Sequence, residues 1–184
     1  VDRVAEAFAA TPRADFLPAR ERSRAVHDGP LSIGHGQTNS QPRTVEAMLR
    51  LLDVRQGQRV LDVGAGSGWT TALLGHLTGS GGRVAGVELV PSIAKQGRKN
   101  LAHRHMPWAT IVEATAGVLG LPEQAPFDRI LVSAEPARLP EELVAQLADP
   151  GRMVIPVAGV MKLVVRDGAT TSTDHGHYRF VPLR

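Results

Sequence analysis

The run Val60-Leu-Asp-Val-Gly-Ala-Gly-Ser-Gly68 holds the residues best suited to chemistry. A short apolar stretch ends in three alternating glycines, Gly64, Gly66 and Gly68, and a helix-forming stretch follows. Glycine lets a backbone approach a ligand with no Cβ in the way, and the intervening Ala65 and Ser67 are small. A dinucleotide loop asks for G-x-G-x-x-G, but Trp69 stands at the last glycine position. Asp62, two residues before the first glycine, would repel a phosphate and attract an ammonium. Glu88 comes twenty residues after Gly68, at the end of the next apolar stretch, with Leu89 beside it. An acid there can accept hydrogen bonds from both hydroxyls of a ribose. The ligand that fits is S-adenosyl-L-methionine, which carries an ammonium and a sulfonium. A nicotinamide cofactor fits less well, because of the glycine spacing.

These residues need strand ends and helix starts to hold them. From Arg59 the pattern alternates. Val60–Val63, Val84–Val87, Ala109–Val112, Ile130–Val132 and Met153–Ile155 read as strands. Trp69–Thr78, Ser92–His103 and Pro140–Leu147 read as helices between them. Leu163–Arg166 and Tyr178–Val181 suggest a closing hairpin around Asp167–Gly176. Strands joined by crossover helices imply a doubly wound, mostly parallel α/β sheet. Ligands of such sheets lie at the carboxyl ends of the strands. Upstream, Val1–Ala10 reads as a helix with Val4, Ala5, Phe8 and Ala9 on one face. Arg13–Leu17 reads as a loop between Pro12 and Pro18, and Arg20–Asp28 as an exposed charged run. Gly29–Pro42 holds three glycines and two prolines in fourteen residues, which argues against regular structure. A helix then starts near Pro42, capped by Ser40 or Gln41, with Val45, Met48, Leu49 and Leu52 as its apolar stripe.

The 184 residues suit one domain, and 42% apolar content suffices for its core. We divide it into a helical and loop extension on the substrate side, 1–53, and a cofactor-binding core, 54–184. There is no cysteine, which excludes disulfides, a thiol nucleophile and Cys-ligated metals. The longest apolar run, Met153–Met161, is too short to span a bilayer, and charge interrupts the first residues at once. A cytoplasmic protein without a membrane partner is expected. The net charge of +3 is small and aromatic content is 4%, so no nucleic-acid partner is expected. His103 and His105 have no carboxylate at ligand spacing; His175 and His177, beside Asp174, have a spacing that can bind zinc, but an exposed turn is the simpler reading. No metal is assigned.

The glycine run Asp62–Gly68 resembles the first motif of class I S-adenosylmethionine methyltransferases. The segment Asp28-Gly-Pro-Leu-Ser-Ile-Gly-His-Gly-Gln-Thr-Asn-Ser-Gln-Pro42 is more specific. It resembles the loop before the core of the protein-L-isoaspartate O-methyltransferases. Ala125-Pro-Phe-Asp128, Leu139–Leu147, Gly151–Val157 and Phe180-Val-Pro-Leu183 agree with that family, so the resemblance covers nearly the whole chain. It implies a Rossmann-like class I methyltransferase fold with helices on both faces and a C-terminal antiparallel hairpin. It also implies methyl transfer from S-adenosyl-L-methionine to the α-carboxylate of an isoaspartyl residue in a damaged peptide or protein, with S-adenosyl-L-homocysteine as product. The ester then collapses to a succinimide, whose hydrolysis partly restores aspartate. By motif position, Ser40 is the hydroxyl that holds the substrate carboxylate and the expected catalytic residue. Gln37 and Thr38 help close the site, and His35 is a further candidate for substrate contact. A monomer is expected.

The chain departs from the family pattern at four places. The family carries Gly-Asp-Gly against the adenine, and the matching triplet here is Thr115-Ala116-Gly117, with no carboxylate. A lost hydrogen bond of this kind costs about 0.5–1.5 kcal/mol, so weaker cofactor binding is expected. Glu135 replaces a small residue and would repel an anionic substrate unless it faces solvent. Asn39 stands at a usually apolar position. The region after Val157 is compact. These departures keep two alternatives open: a relative that esterifies an aspartate of a biosynthetic peptide to give an aspartimide, and a non-catalytic cofactor-binding module.

Overall fold

A computed structural model describes all 184 residues. Its centre is strand β3 (Arg59–Val63), whose residues alternate between two cores. Val60 belongs to one buried cluster, while Leu61 and Val63 belong to the other. Strands β4 (Arg83–Glu88), β5 (Ala109–Glu113), β6 (Phe127–Val132), β7 (Leu147–Val157), β8 (Val160–Asp167) and β9 (Ala169–His177) complete a seven-stranded sheet of order β5-β4-β3-β6-β7-β8-β9. The pairs from β5 to β7 are parallel, and those of β7 with β8 and β8 with β9 are antiparallel. The chain order reverses between β3 and β6, so a crevice opens at their carboxyl ends.

Helices α1 (Arg3–Ala10), α2 (Pro42–Leu52), α3 (Trp69–Thr78) and α4 (Pro91–Ala102) contribute to the cluster that contains Val60. The short helix α5 (Glu141–Val144) contributes Leu143 to the opposite cluster. Helix α3 is buried nearly all round, between the sheet, α1 and α4, and so lacks a polar face. Residues 1–53 share the first cluster through Ala7, Phe16, Val45 and Leu49. No helix is long and apolar enough to cross a membrane.

Four local expectations change. Gly29–Pro42 is not irregular throughout: Leu31–Gly34 (β1) and Gln37–Asn39 (β2) pair as a separate antiparallel hairpin. Its turn, Gly34-His35-Gly36, has three successive positive φ angles of 96°, 53° and 71°. The two glycines make that turn cheap, and the strands are too short and polar to show alternation. Arg13–Phe16 and Ala19–Arg24 form 3₁₀ turns instead of loop. The helix expected over Pro140–Leu147 ends at Val144, and Leu147 already pairs with Phe127 in the sheet. The closing hairpin turns at Gly168, so its outer strand is Ala169–His177 and not Tyr178–Val181. That strand is an exposed edge, which leaves no apolar alternation to read.

Candidate active site

The glycine loop leaves β3 at Val63 and crosses to α3. Gly64 and Ala65 donate their backbone N–H groups to the Val87 carbonyl at 2.9 and 3.0 Å, which clips the loop to the end of β4. Glu88, 6% exposed, then anchors it from the side. One carboxylate oxygen accepts from the Gly66 N–H at 2.8 Å, and the other from the Val90 N–H at 3.0 Å. Each oxygen keeps a further lone pair, and Glu88 lines the cavity.

Helix α4 supports the loop from behind through two residues that the motif does not include. Asn100 donates to the Ser67 carbonyl at 3.0 Å. Gly97 packs so closely that a Cβ there would lie 2.8 Å from the Gly66 carbonyl oxygen and 3.0 Å from Ile111. A glycine in mid-helix was the available signal for this contact. Alanine is the better helix former. Gly97→Ala is nevertheless expected to cost about 1–3 kcal/mol, because the obstacle is backbone. It should also weaken cofactor binding by displacing Gly66. Urea denaturation and titration calorimetry check both effects, and a stabilised variant would contradict this packing.

Asp62 is fully buried on the face under α3. Its Oδ2 accepts from the Thr70 and Thr71 hydroxyls, both at 2.7 Å, while Oδ1 has no partner. Burial raises its pKa from 3.8 to about 6, the two threonine bonds pull the other way, and the charge of Glu88 adds to the rise. Asp62 does not line the cavity, although Thr70 does. Gly68 likewise lies outside the lining, with its Cβ position 3.1 Å from the Gly97 carbonyl.

Across the crevice stands the β1–β2 hairpin. His35, Gln37, Thr38 and Ser40 all line the cavity together with Gly64, Ala65, Gly66, Ser67, Glu88 and Leu89. The His35 ring is 2.9 Å from the Ser92 hydroxyl at the start of α4, so the hairpin tip reaches over to the cofactor-loop side. The Ser40 hydroxyl does not cap α2. Gln41 occupies the cap position without a capping side-chain bond, and Asp28 accepts from the Arg43 N–H at 3.1 Å instead. Ser40 therefore keeps its hydroxyl for the cavity.

The hairpin is held by Arg13, which is 6% exposed. Its guanidinium donates to the carbonyls of His27 and Gly29, both at 2.7 Å, and more weakly to those of Ala25, Asn39 and Ser40. It also donates to Asn39 Oδ1 at 2.6 Å and lies 5.6 Å from the centre of the Trp69 ring. Asn39 passes the contact on, 3.4 Å from the Ser67 hydroxyl. The polar Asn39 is thus the link between the hairpin and the glycine loop. Reading Arg13 as a loop residue missed this, because nothing local in the sequence marks an arginine as buried.

Thr115, Ala116 and Gly117 do not line the cavity, whereas the next residues, Val118, Leu119 and Gly120, do. The buried Gln146 fixes that stretch by accepting from the Leu121 N–H and donating to the Leu119 carbonyl, both at 2.8 Å. Glu113 pairs with Arg98 at 3.2 Å and is outside the lining. Glu135 is outside it as well, with its carboxylate oxygens turned to the backbone N–H groups of Gly159 and Phe180, which offset its charge towards an anionic ligand. The C-terminal segment Val181–Arg184 forms a further wall.

The lining suits S-adenosyl-L-methionine. The loop carries no lysine or arginine to meet a phosphate, and the Asp62 carboxylate under the start of α3 would repel one. Glu88 offers acceptors, and the unpartnered Asp62 Oδ1 keeps a negative potential close by.

The family model described as Protein-L-isoaspartate(D-aspartate) O-methyltransferase matches residues 1–184. A protein-L-isoaspartate O-methyltransferase of Aeropyrum pernix is 49% identical over 155 residues, covering 84% of this chain and 60% of that protein. One of Methanopyrus kandleri is 44% identical over 188 residues, covering 99% and 83%. Among solved structures, a protein-L-isoaspartate O-methyltransferase superposes with a TM-score of 0.90 at 26% identity, over 100% of this chain and 62% of that one. A Plasmodium falciparum protein assigned to the same activity, in complex with S-adenosyl-L-homocysteine, also gives 0.90, at 25% identity over 100% and 91%. The chain thus spans less than two thirds of the Aeropyrum relative and of the first of these structures.

Proposed function

The chain belongs to the protein-L-isoaspartate(D-aspartate) O-methyltransferase family, and from that premise we propose that it methylates the α-carboxylate of L-isoaspartyl residues in peptides or proteins. S-adenosyl-L-methionine would be the donor and S-adenosyl-L-homocysteine the product. The ester would then close to a succinimide and start repair. One observation carries this reading: Ser40, whose hydroxyl does not cap α2, lines the same cavity as the glycine loop and Glu88.

Gly64, Ala65, Gly66 and Ser67 would hold the donor with Glu88 and Leu89. Val118, Leu119 and Gly120 would meet its adenine in place of Thr115, Ala116 and Gly117. Gly68 and Asp62 would act from behind, through loop packing and charge. When bound, the donor supplies an electrophilic methyl group on a sulfonium. An α-carboxyl, with a pKa near 3.5, is already ionised at neutral pH, so no strong general base is required. The work left to this chain is to orient the carboxylate and exclude water. Ser40 would donate to one carboxylate oxygen, with Gln37, Thr38 and His35 closing the wall around the peptide. Residues 1–53 would form the substrate-side extension of the core, 54–184.

Ser40→Ala is expected to lower kcat by about 10–100-fold, the worth of one hydrogen bond to a charged group. The donor Kd should stay within about twofold. Single-turnover kinetics and calorimetry separate the two, and an equal loss of both would make Ser40 structural. The function itself is tested by transfer of a labelled methyl group to one peptide in isoaspartyl and aspartyl forms. Transfer to the isoaspartyl form alone is expected. Donor binding with transfer to neither would overturn the reading and favour a binding module.

A further inference from the structure

Glu135 follows β6 in the run Ser133-Ala134-Glu135-Pro136, beside two residues that line the cavity. Its side chain turns away from the cavity and gathers backbone. One carboxylate oxygen accepts from the Gly159 N–H, in the turn between β7 and β8. The other accepts from the Phe180 N–H at 3.2 Å. The main chain of Glu135 continues the grip. Its N–H donates to the Val181 carbonyl at 2.7 Å, its carbonyl accepts from the Leu183 N–H at 3.0 Å, and it forms a parallel bridge with Pro182. Gly159 in turn accepts from the Tyr178 N–H at 3.0 Å. A carboxylate that accepts from backbone N–H groups makes charge-assisted bonds, stronger than neutral ones. The segment beyond Phe180 has no helix or ladder of its own; Phe180 and Leu183 pack against the two cores, and this clasp supplies its polar attachment.

The segment matters because Val181, Pro182 and Leu183 form a cavity wall. None of the backbone bonds of this wall goes to the glycine loop or to Glu88, so it is separable from the donor's cradle. We propose that Glu135 is a positioning residue whose carboxylate fixes segment 180–183 as the wall against which the isoaspartyl peptide lies. The proposal rests on the reading of the cavity as a carboxyl-methylation site. It assigns Glu135 an effect on peptide affinity that is independent of donor affinity.

The test uses the full chain with Glu135→Ala and Glu135→Gln. Three quantities are read: KM and kcat for an isoaspartyl peptide, donor Kd by calorimetry, and the rate at which trypsin releases Phe180–Arg184 by cutting after the exposed Arg179. For Glu135→Ala, peptide KM is expected to rise about tenfold, with kcat and donor Kd within about twofold. Release of the fragment should accelerate by a similar factor. Glu135→Gln keeps one acceptor oxygen and should fall between wild type and alanine in KM and release. Unchanged release would overturn the clasp. Faster release with unchanged peptide KM would overturn the wall. Equal loss of donor and peptide affinity would reduce Glu135 to a general structural role. Should the wild type methylate no isoaspartyl peptide, the functional reading fails, while the proteolysis still decides the clasp.

Discussion

Replacing Arg13 by leucine is expected to destabilise the protein by about 3–5 kcal/mol, the sum of a few buried acceptors left without a donor. The guanidinium serves five carbonyls and the Asn39 side chain within a small volume. Leucine fills part of that volume but removes the donor from the buried Gly29 carbonyl and Asn39 Oδ1, at about 1–3 kcal/mol for each left unpaired, while the His27 carbonyl keeps the Gly29 N–H. The contact with Trp69 is lost too. Burial lowers the Arg13 pKa and nearby Asp28 partly opposes this, so the charge is held at a cost. Arg13→Lys keeps the charge without the planar fork and should recover only a minor part. Because Ser40 and Asn39 hang on this residue, kcat/KM should fall in both variants even where they remain folded. Urea denaturation with peptide kinetics checks the pair. A leucine variant within about 1 kcal/mol of wild type would contradict the network.

The second large effect concerns Asp62 and has the opposite sign. Its pKa is about 6 in the folded protein against 3.8 as the ordinary value. The folded state therefore binds the proton more tightly than the unfolded state. Stability is highest below about pH 4 in this respect and is lost as pH rises through 6. The rise of about two units corresponds to roughly 3 kcal/mol of destabilisation at neutral pH. Asp62→Asn removes the charge and can still accept from Thr70 and Thr71. It is expected to raise Tm at pH 7.5 by roughly 6–12 °C, with the gain shrinking towards pH 4. Donor binding should move the other way. The ionised carboxylate attracts a cationic ligand, so wild-type affinity should fall as pH drops through 6, and the asparagine variant should bind weakly with a flatter profile. Calorimetry and thermal melts across pH 4–8 measure both. An asparagine variant that is less stable at pH 7.5 would refute the assignment. An unsatisfied buried charge that costs stability and serves a ligand is common in binding sites.

What the sequence determined by itself was whatever is written in local patterns. Apolar runs interrupted by helical stretches gave the parallel sheet, because strand and crossover helix each carry their own periodicity. Gly64, Gly66 and Glu88 line the cavity at the ends of β3 and β4, and their spacing along the chain follows from that placement. The Asp28–Pro42 segment identified the family through unusual residues in an unusual order. Its own shape was not readable, because a two-sided polar hairpin with a tip at positive φ has no periodic signal.

Only the tertiary structure decided which side of a wall each charged group occupies. Asp62 and Glu88 are both acids at strand positions, yet one is sealed beneath α3 and the other lines the cavity. Glu135 looked like an intruder in an anion site and instead holds the C-terminal segment. Arg13 reads in the sequence as part of a loop and is the buried hub of the substrate-side hairpin. The physical reason is common to all three. A charged side chain settles where hydrogen-bond partners meet in space, and these lie eight or nine residues away for Asp62, up to 27 for Arg13 and up to 45 for Glu135, beyond any helical or strand period.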